Sequence, residues 1–330
     1  MVKRRNVLRL IGLGLLALLL WRLDTRQIAA ILGGAEWTLV AAAFALNLPQ
    51  VLLKGMRWRW LLKAQGIRYG VMPASLAYFG SIFIGLFTPG RLGEFIKAVH
   101  VSRDCNVPAK RAFSSVLADR LFDLYALAIV GGLALVALGS IRPLVLLGSL
   151  GGLALALILP LVLLLNGRAF VWMQSWGMRL GKLGRALFTP EGWVAELRNG
   201  LLQLGWTSLG QALALTVLAY AVLYTQAFLL ALALDIDIGV LQVSFAMALG
   251  SLVTLIPVSI SGLGTREAAV VAYLGADGVG LEAAMSFSLL VFITFYVGAA
   301  VIGAVAWFVK PVSLNETRAK QLFKERAIGE

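Results

Sequence analysis

GVMPASLAYFGSIFIGLFTPGRLGE, residues 70–94, reads as an apolar helix that stops at a proline, then runs through glycines to an Arg/Glu pair. A second stretch, GVLQVSFAMALGSLVTLIPVSISGLGTRE at residues 239–267, lines up with it, with a few residues inserted near the proline. The segments that follow, AFSSVLADRLFDLYAL from Ala112 and AMSFSLLVFITFYVGA from Ala284, share spacing as well. In each unit the proline removes a backbone donor and the glycines permit a sharp turn, so two half-helices joined at a tip are expected. The recurrence implies an internal repeat, with units at approximately 70–140 and 239–309.

Composition places these units in a membrane. Of the 330 residues, 60% are hydrophobic and 14% charged, against roughly 45–50% and 25% for soluble domains. The 29 Lys and Arg against 16 Asp and Glu give a net charge of +13, which in such a chain reads as anchoring to anionic lipid. No basic stretch carries a nucleic-acid fold signature, so no nucleic-acid partner is expected. One cysteine, Cys105, and one histidine, His100, cannot build a disulfide framework or a multi-ligand metal site. Neither cofactor nor metal is expected.

Uncharged or nearly uncharged stretches fall at 7–21, 37–53, 71–90, 113–140, 143–165, 205–234, 238–264 and 283–309, each long enough, or nearly so, to cross about 30 Å of hydrocarbon. Eight crossings would put the loops Arg91–Arg111 and Arg168–Arg198, with ten basic residues, outside the cell. That opposes the positive-inside bias. Making 71–98 and 238–275 re-entrant hairpins repairs the conflict and leaves 24 of the 29 basic residues inside. The expected fold is therefore all-α and polytopic: a single integral membrane domain over 1–330 with about six transmembrane helices and two oppositely oriented re-entrant hairpins forming an inverted repeat. Both termini are expected to be cytoplasmic in the plasma (inner) membrane of a bacterium or archaeon, with a cytoplasmic tail at 310–330. The basic start and apolar run to Trp21 are expected to remain as an uncleaved anchor, because Trp21 and Arg22 stand where a signal peptide carries small residues. Residues 168–204, which interleave Trp172, Trp176 and Trp193 with Arg168, Arg179, Lys182 and Arg185, read as a cytoplasmic amphipathic segment. KGMRWRWLLKAQGIRYG from Lys54 reads the same way.

The candidate site residues sit at the tips and in the following span. Pro89, Gly90, Arg91, Gly93 and Glu94 form the first tip; Pro257, Gly262, Gly264, Thr265, Arg266 and Glu267 form the second. A half-helix restarting after each tip, capped in the second by Thr265, presents partial positive charge, and two such ends meeting near the midplane with two guanidiniums would hold a phosphate. Glu94 and Glu267 are expected to orient the arginines. Asp119, Arg120 and Asp123 lie in the 113–140 stretch, with the two aspartates four apart on one helical face. Charge at that depth is expensive unless paired. The aspartates either hold Arg91 and Arg266, or bind a proton, or lie solvated at the cytoplasmic boundary.

RWRWLLKAQGI, FTPGRLGEFIKAVHV, LADRLFDL and ISGLGTREAAVVAYLG, in this order, resemble the flippase-like transmembrane region of lysylphosphatidylglycerol synthases and its free-standing relatives. The resemblance covers nearly the whole chain. It implies lipid translocation and, with no room expected for the soluble synthase domain, disfavours synthesis. The expected function is movement of an anionic or aminoacylated phospholipid, or of a polyprenyl-phosphate lipid, through a midplane phosphate site, without covalent catalysis. Two alternatives stay open: a membrane-embedded lipid-modifying transferase, with Asp119, Asp123 and Glu94 as its only reasonable acid/base candidates, and a noncatalytic partner of a membrane glycosyltransferase or lipid synthase.

Overall fold

The computed structural model describes residues 12, 14–88, 91–137, 151–152, 158–189, 192–255, 259 and 261–310, and among these the regular structure is entirely helical. The helices are α1 (residues 14–22), α2 (Thr25–Gly33), α3 (Trp37–Ala45), α4 (Asn47–Ala64), α5 (Val71–Leu86), α6 (Ile96–Asp104) and α7 (Ala109–Ala137). They continue as α8 (Ile158–Leu165), α9 (Gly167–Met178), α10 (Gly181–Phe188), α11 (Trp193–Leu202), α12 (Trp206–Ala233), α13 (Val240–Thr254), α14 (Thr265–Ala276), α15 (Leu281–Val291) and α16 (Gly298–Val309). A 3₁₀ turn, Leu92–Phe95, leads into α6, and a π-helical turn, Phe292–Val297, joins α15 to α16.

Four of these runs are long and apolar enough to cross a membrane: Trp37–Ala64, Ala109–Ala137, Trp206–Ala233 and Leu281–Val309. A fifth is reached by counting α8 and α9 together, although they bend by 97°. Most of the stretch at 143–165 and residues 1–11 and 13 of the expected N-terminal anchor lie outside the described residues, as do Pro89, Gly90 and Pro257. The expected span at 37–53 is a longer one, continuing to Ala64. That extension overturns the interfacial reading of KGMRWRWLLKAQ, because Arg57, Trp58, Leu61 and Leu62 are fully buried. Basic residues beside tryptophan suit a membrane surface, but here they enter the protein because partners wait for them there.

The tip-bearing helices α5 and α13 have 16 and 15 residues, about 24 Å of rise at 1.5 Å per residue, which falls short of the hydrocarbon thickness. After each, the chain turns into a short helix, α6 of 9 residues or α14 of 12, and then into a 29-residue run. The packing of these parts is reciprocal: α5 lies on α16, and α13 lies on α7. Small residues allow the approach, as is usual between membrane helices. Gly80 faces Trp307 and Gly303 faces Phe83 in the first contact; Gly131 faces Leu252 in the second. One apolar core gathers Leu230, Met247, Leu274, Met285 and Phe287, and another gathers Trp58, Leu62, Tyr78 and Val116.

Around 168–204 the structure forms α9, α10 and α11, with Trp172 and Trp176 exposed. The segment is held to the protein through α11, which packs on α7, and through Trp193, whose ring meets Phe113 edge-on.

Candidate functional site

The two tips meet. The Ser261 hydroxyl in the second tip donates to the Leu86 carbonyl at the end of α5 at 2.7 Å. The guanidinium carbons of Arg91 and Arg266 lie 4.5 and 4.3 Å from the centre of one ring, that of Tyr296 on the π-helical turn. Locally the tips are built alike. Arg91 (φ 56°) and Gly264 (φ +84°) each take positive φ immediately before the helical turn, and Glu94 and Glu267 each stand three residues later. In the second tip Glu267 accepts from the Gly264 amide at 2.5 Å. This corrects the expectation that Thr265 caps the helix: Gly264 is the cap, and the Thr265 hydroxyl turns back to the Gly262 carbonyl at 3.1 Å. Gly264 is required twice, for its positive φ and because a Cβ there would run into the backbone of Gly12.

The two Arg/Glu pairs differ in their surroundings. Glu267 pairs with its neighbour Arg266, and both are buried. Glu94 is shared between Arg91, 3.7 Å away, and Arg120 of α7. Arg120 thus ties the first tip to the long span.

The largest departure from the sequence reading concerns Asp119 and Asp123. Neither holds Arg91 or Arg266, and neither is a solvated boundary residue; Asp119 is 0% and Asp123 7% exposed. Because α7 begins at Ala109, Asp123 is in the middle of its 29 residues, about 21 Å along the helix axis from either end. Their partners are cations that the sequence reading placed on the cytoplasmic surface. Arg57 donates from Nε to Asp119 Oδ1 at 2.8 Å and from Nη1 to Asp123 Oδ1 at 3.0 Å. Lys97 donates to Asp119 Oδ2 at 2.7 Å, and Lys54 lies 3.3 Å from Asp123 Oδ1. The Tyr78 and Tyr220 hydroxyls complete the two carboxylates at 3.2 and 3.3 Å. The Lys97 ammonium also sits 3.8 Å from the Tyr78 ring centre, so the aromatic faces help replace its lost hydration. A signal for these partners existed: two carboxylates deep in an apolar span demand cations, and Lys54 and Arg57 are three apart on one helix face.

A cavity of about 350 Å³ opens beside this network. Its charged wall is Lys54, Asp123, Arg91, Glu94 and Arg120, and much of the remainder is apolar, including Leu121, Leu124, Leu127, Leu223 and Met247. Tyr296 forms part of the wall, whereas Arg266, Glu267, Thr265, Gly262 and Gly264 do not line it. Counting formal charges, Lys54, Arg57, Arg91, Lys97 and Arg120 outnumber Asp119, Asp123 and Glu94 by two. An excess of positive charge in a low-dielectric interior is stabilised by an anion.

Among the described residues no group of three or more His, Cys, Asp and Glu side chains is placed to hold a metal ion. His100 is buried against Trp307 and apart from the cavity.

Fold and cavity define a multi-pass helical membrane protein with a cationic chamber between its spans. Residues 9–303 match the family described as the lysylphosphatidylglycerol synthase TM region, and the chain belongs to that family, whose membrane region is lipid-related. A curated relative, "Glycosyltransferase AglD" of Haloferax volcanii, is 33% identical over 125 residues, which are 38% of this chain and 20% of that protein. The chain therefore matches about a fifth of the length of that relative.

Proposed function

We propose that this protein moves an anionic lipid across the membrane, seating the phosphate headgroup between Lys54, Arg91 and Arg120 while the acyl or prenyl tail follows the leucine-lined wall. The observation that carries the reading is a cavity wall that sets three cations, Lys54, Arg91 and Arg120, against two carboxylates, Asp123 and Glu94, in an otherwise largely apolar lining, with the buried Arg57, Lys97 and Asp119 network behind it adding one more positive charge. Two half-helix tips meeting beside that cavity add backbone dipoles of the sign an anion needs. Aminoacylated phospholipids and polyprenyl-phosphate lipids share this phosphate chemistry, and all fall within the proposed substrate class.

In this reading the chain has six spans and two re-entrant hairpins entering from opposite faces. Equal element order in the two units and the reciprocal packing of α5 on α16 and α13 on α7 support an inverted repeat around the cavity. The site residues divide accordingly: Arg91, Arg120 and Lys54 bind; Glu94, Asp119 and Asp123 orient; Gly93, Gly262 and Gly264 shape the tips with Thr265. Arg266 and Glu267 belong to the further inference below.

The test uses the purified chain in vesicles containing phosphatidylglycerol with a fluorescent acyl chain, scored for binding and for accessibility to an external quencher. Loss of one charge-assisted contact costs about 1.5–3 kcal/mol, so Arg91→Gln should weaken binding about tenfold to a hundredfold, while Arg91→Lys retains part of it. Equal binding of phosphatidylcholine, or a folded Arg91→Gln variant with unchanged affinity, refutes the assignment. Polyprenyl-phosphate vesicles in the same assay separate the two lipid classes.

A second reading, a membrane partner of a glycosyltransferase, draws on the name of the Haloferax volcanii relative. It predicts copurification with such an enzyme and no lipid movement by the isolated chain.

A further inference from the structure

Arg266 is the buried cation that the headgroup chamber leaves unused. It is 1% exposed; Nη2 is held by Glu267 and the Tyr296 hydroxyl approaches the guanidinium, but Nε and Nη1 have no well-formed hydrogen bond among the described residues. An unsatisfied guanidinium in a protein interior is costly and marks either strain or a missing ligand. Arg266 is the second residue of the 12-residue helix α14, so it stands where the helix presents its positive end. What separates it from the chamber is aromatic: Tyr296 at 4.3 Å and Phe292 at 5.2 Å from ring centre to guanidinium carbon. Tyr296 faces Arg91 as well, and it lines the chamber while Arg266 does not.

Both rings are carried by the π-helical turn Phe292–Val297, which interrupts an otherwise α-helical 29-residue run. A π-turn holds an extra residue, and such turns recur at functional positions. Returning it to α-helical winding would rotate every side chain beyond it and take the Tyr296 ring off one or both arginines.

From this arrangement we propose that Arg266 with the N-terminus of α14 is a second, closed phosphate station, and that Tyr296 is the partition between it and the Arg91 station. The inference rests on the lipid-translocator reading and deepens it: the headgroup binds first at Arg91 and passes to Arg266 when Tyr296 swings aside. The resting state, in which both guanidiniums stack on one ring, keeps the second station shut until an anion competes for Arg91.

The experiment uses the full chain in phosphatidylglycerol vesicles with three readouts: labelled-lipid binding, transbilayer movement, and phenylglyoxal modification of Arg266 mapped by peptide mass spectrometry. Arg266→Gln combined with Glu267→Gln removes the station without leaving an unpaired carboxylate. It should bind lipid within about twofold of the parent yet move it at least tenfold more slowly. Tyr296→Leu opens the partition, so Arg266, unmodified in the parent without lipid, should become modified, and phosphatidylglycerol should protect it. The inference is overturned if the double variant moves lipid at the parent rate, or loses binding as fully as Arg91→Gln, or if Arg266 in Tyr296→Leu stays unmodified. If the parent itself neither binds nor moves the lipid, the headgroup reading falls as a whole; if the parent does both and the double variant equals it, only the second station falls.

Discussion

Replacing Arg57 with methionine takes one cation out of the buried network and leaves two carboxylates sharing what remains. Arg57 is 0% exposed and makes contacts of 2.8 Å to Asp119, 3.0 Å to Asp123 and 3.2 Å to the Thr216 hydroxyl. Removing one partner of a buried ion pair typically costs about 3–5 kcal/mol, because the surviving charge stays desolvated. Here Lys97 and Lys54 remain within 2.7 and 3.3 Å of the two carboxylates, so the cost should sit near 3 kcal/mol, the lower end. At about 2.1 cal/mol/K per residue, the 330 residues give roughly 1.4 °C per kcal/mol, so Tm should fall by roughly 4 °C. The assay is thermal unfolding of the detergent-solubilised protein followed by size-exclusion recovery. Asp119→Asn should also destabilise, and the double variant should lose less than the two singles together, with a coupling of about 1–3 kcal/mol. A single-variant shift under about 2 °C, or strictly additive losses, would mean that Arg57 is solvated in the membrane and that the network does not organise the interior.

Three further outcomes are expected. Cysteines introduced at Ser102 and Ala109 should react with an impermeant reagent only from the cytoplasm, and those at Asp237 and Asp277 only from outside; external labelling at Ser102 removes the opposed hairpins. Gly303→Leu should separate α5 from α16, since even a Cβ there runs into the backbone carbonyl of Phe79 and crowds Phe83 at 3.2 Å, and overpacking of this kind costs about 1–3 kcal/mol or more, read as a lower Tm with the fold retained. Partial burial pushes the Asp104 carboxyl up, but Lys310 and the Tyr69 hydroxyl at 2.6 Å override that and hold it below its ordinary value. The stabilisation is therefore complete above about pH 4 and lost as pH falls below it; the stability gap between parent and Asp104→Asn should be constant at neutral pH and shrink only in that acid range.

Much of this protein was legible in one dimension. Composition alone demands a membrane, since 60% hydrophobic residues cannot be hidden in a soluble core of this size. The stretches at 113–140, 205–234 and 283–309 return as Ala109–Ala137, Trp206–Ala233 and Leu281–Val309, because a long apolar run forms a helix in lipid whatever its neighbours do. The ends of the two shorter apolar helices are legible for a local reason too: α5 and α13 end at Leu86 and Thr254, three residues before the prolines at 89 and 257 of the sequence.

Pairing of the charges was decided only by the tertiary structure. Asp119 and Asp123 announce by their depth that each needs a cation, yet Arg57 reaches them across 62 and 66 positions of chain and Lys97 across 22. Helical periodicity says which residues share a face of one helix and is silent on which faces meet. A basic, tryptophan-rich segment satisfies the pattern of a membrane surface and that of a buried counter-charge equally well, and Lys54 and Arg57 were misplaced for that reason. The same holds for Tyr296, which has no signature of its own in the sequence. It becomes part of the site because a π-turn and the meeting of two distant tips bring Arg91 and Arg266 onto one ring, and long-range contacts of that kind depend on how the helices pack.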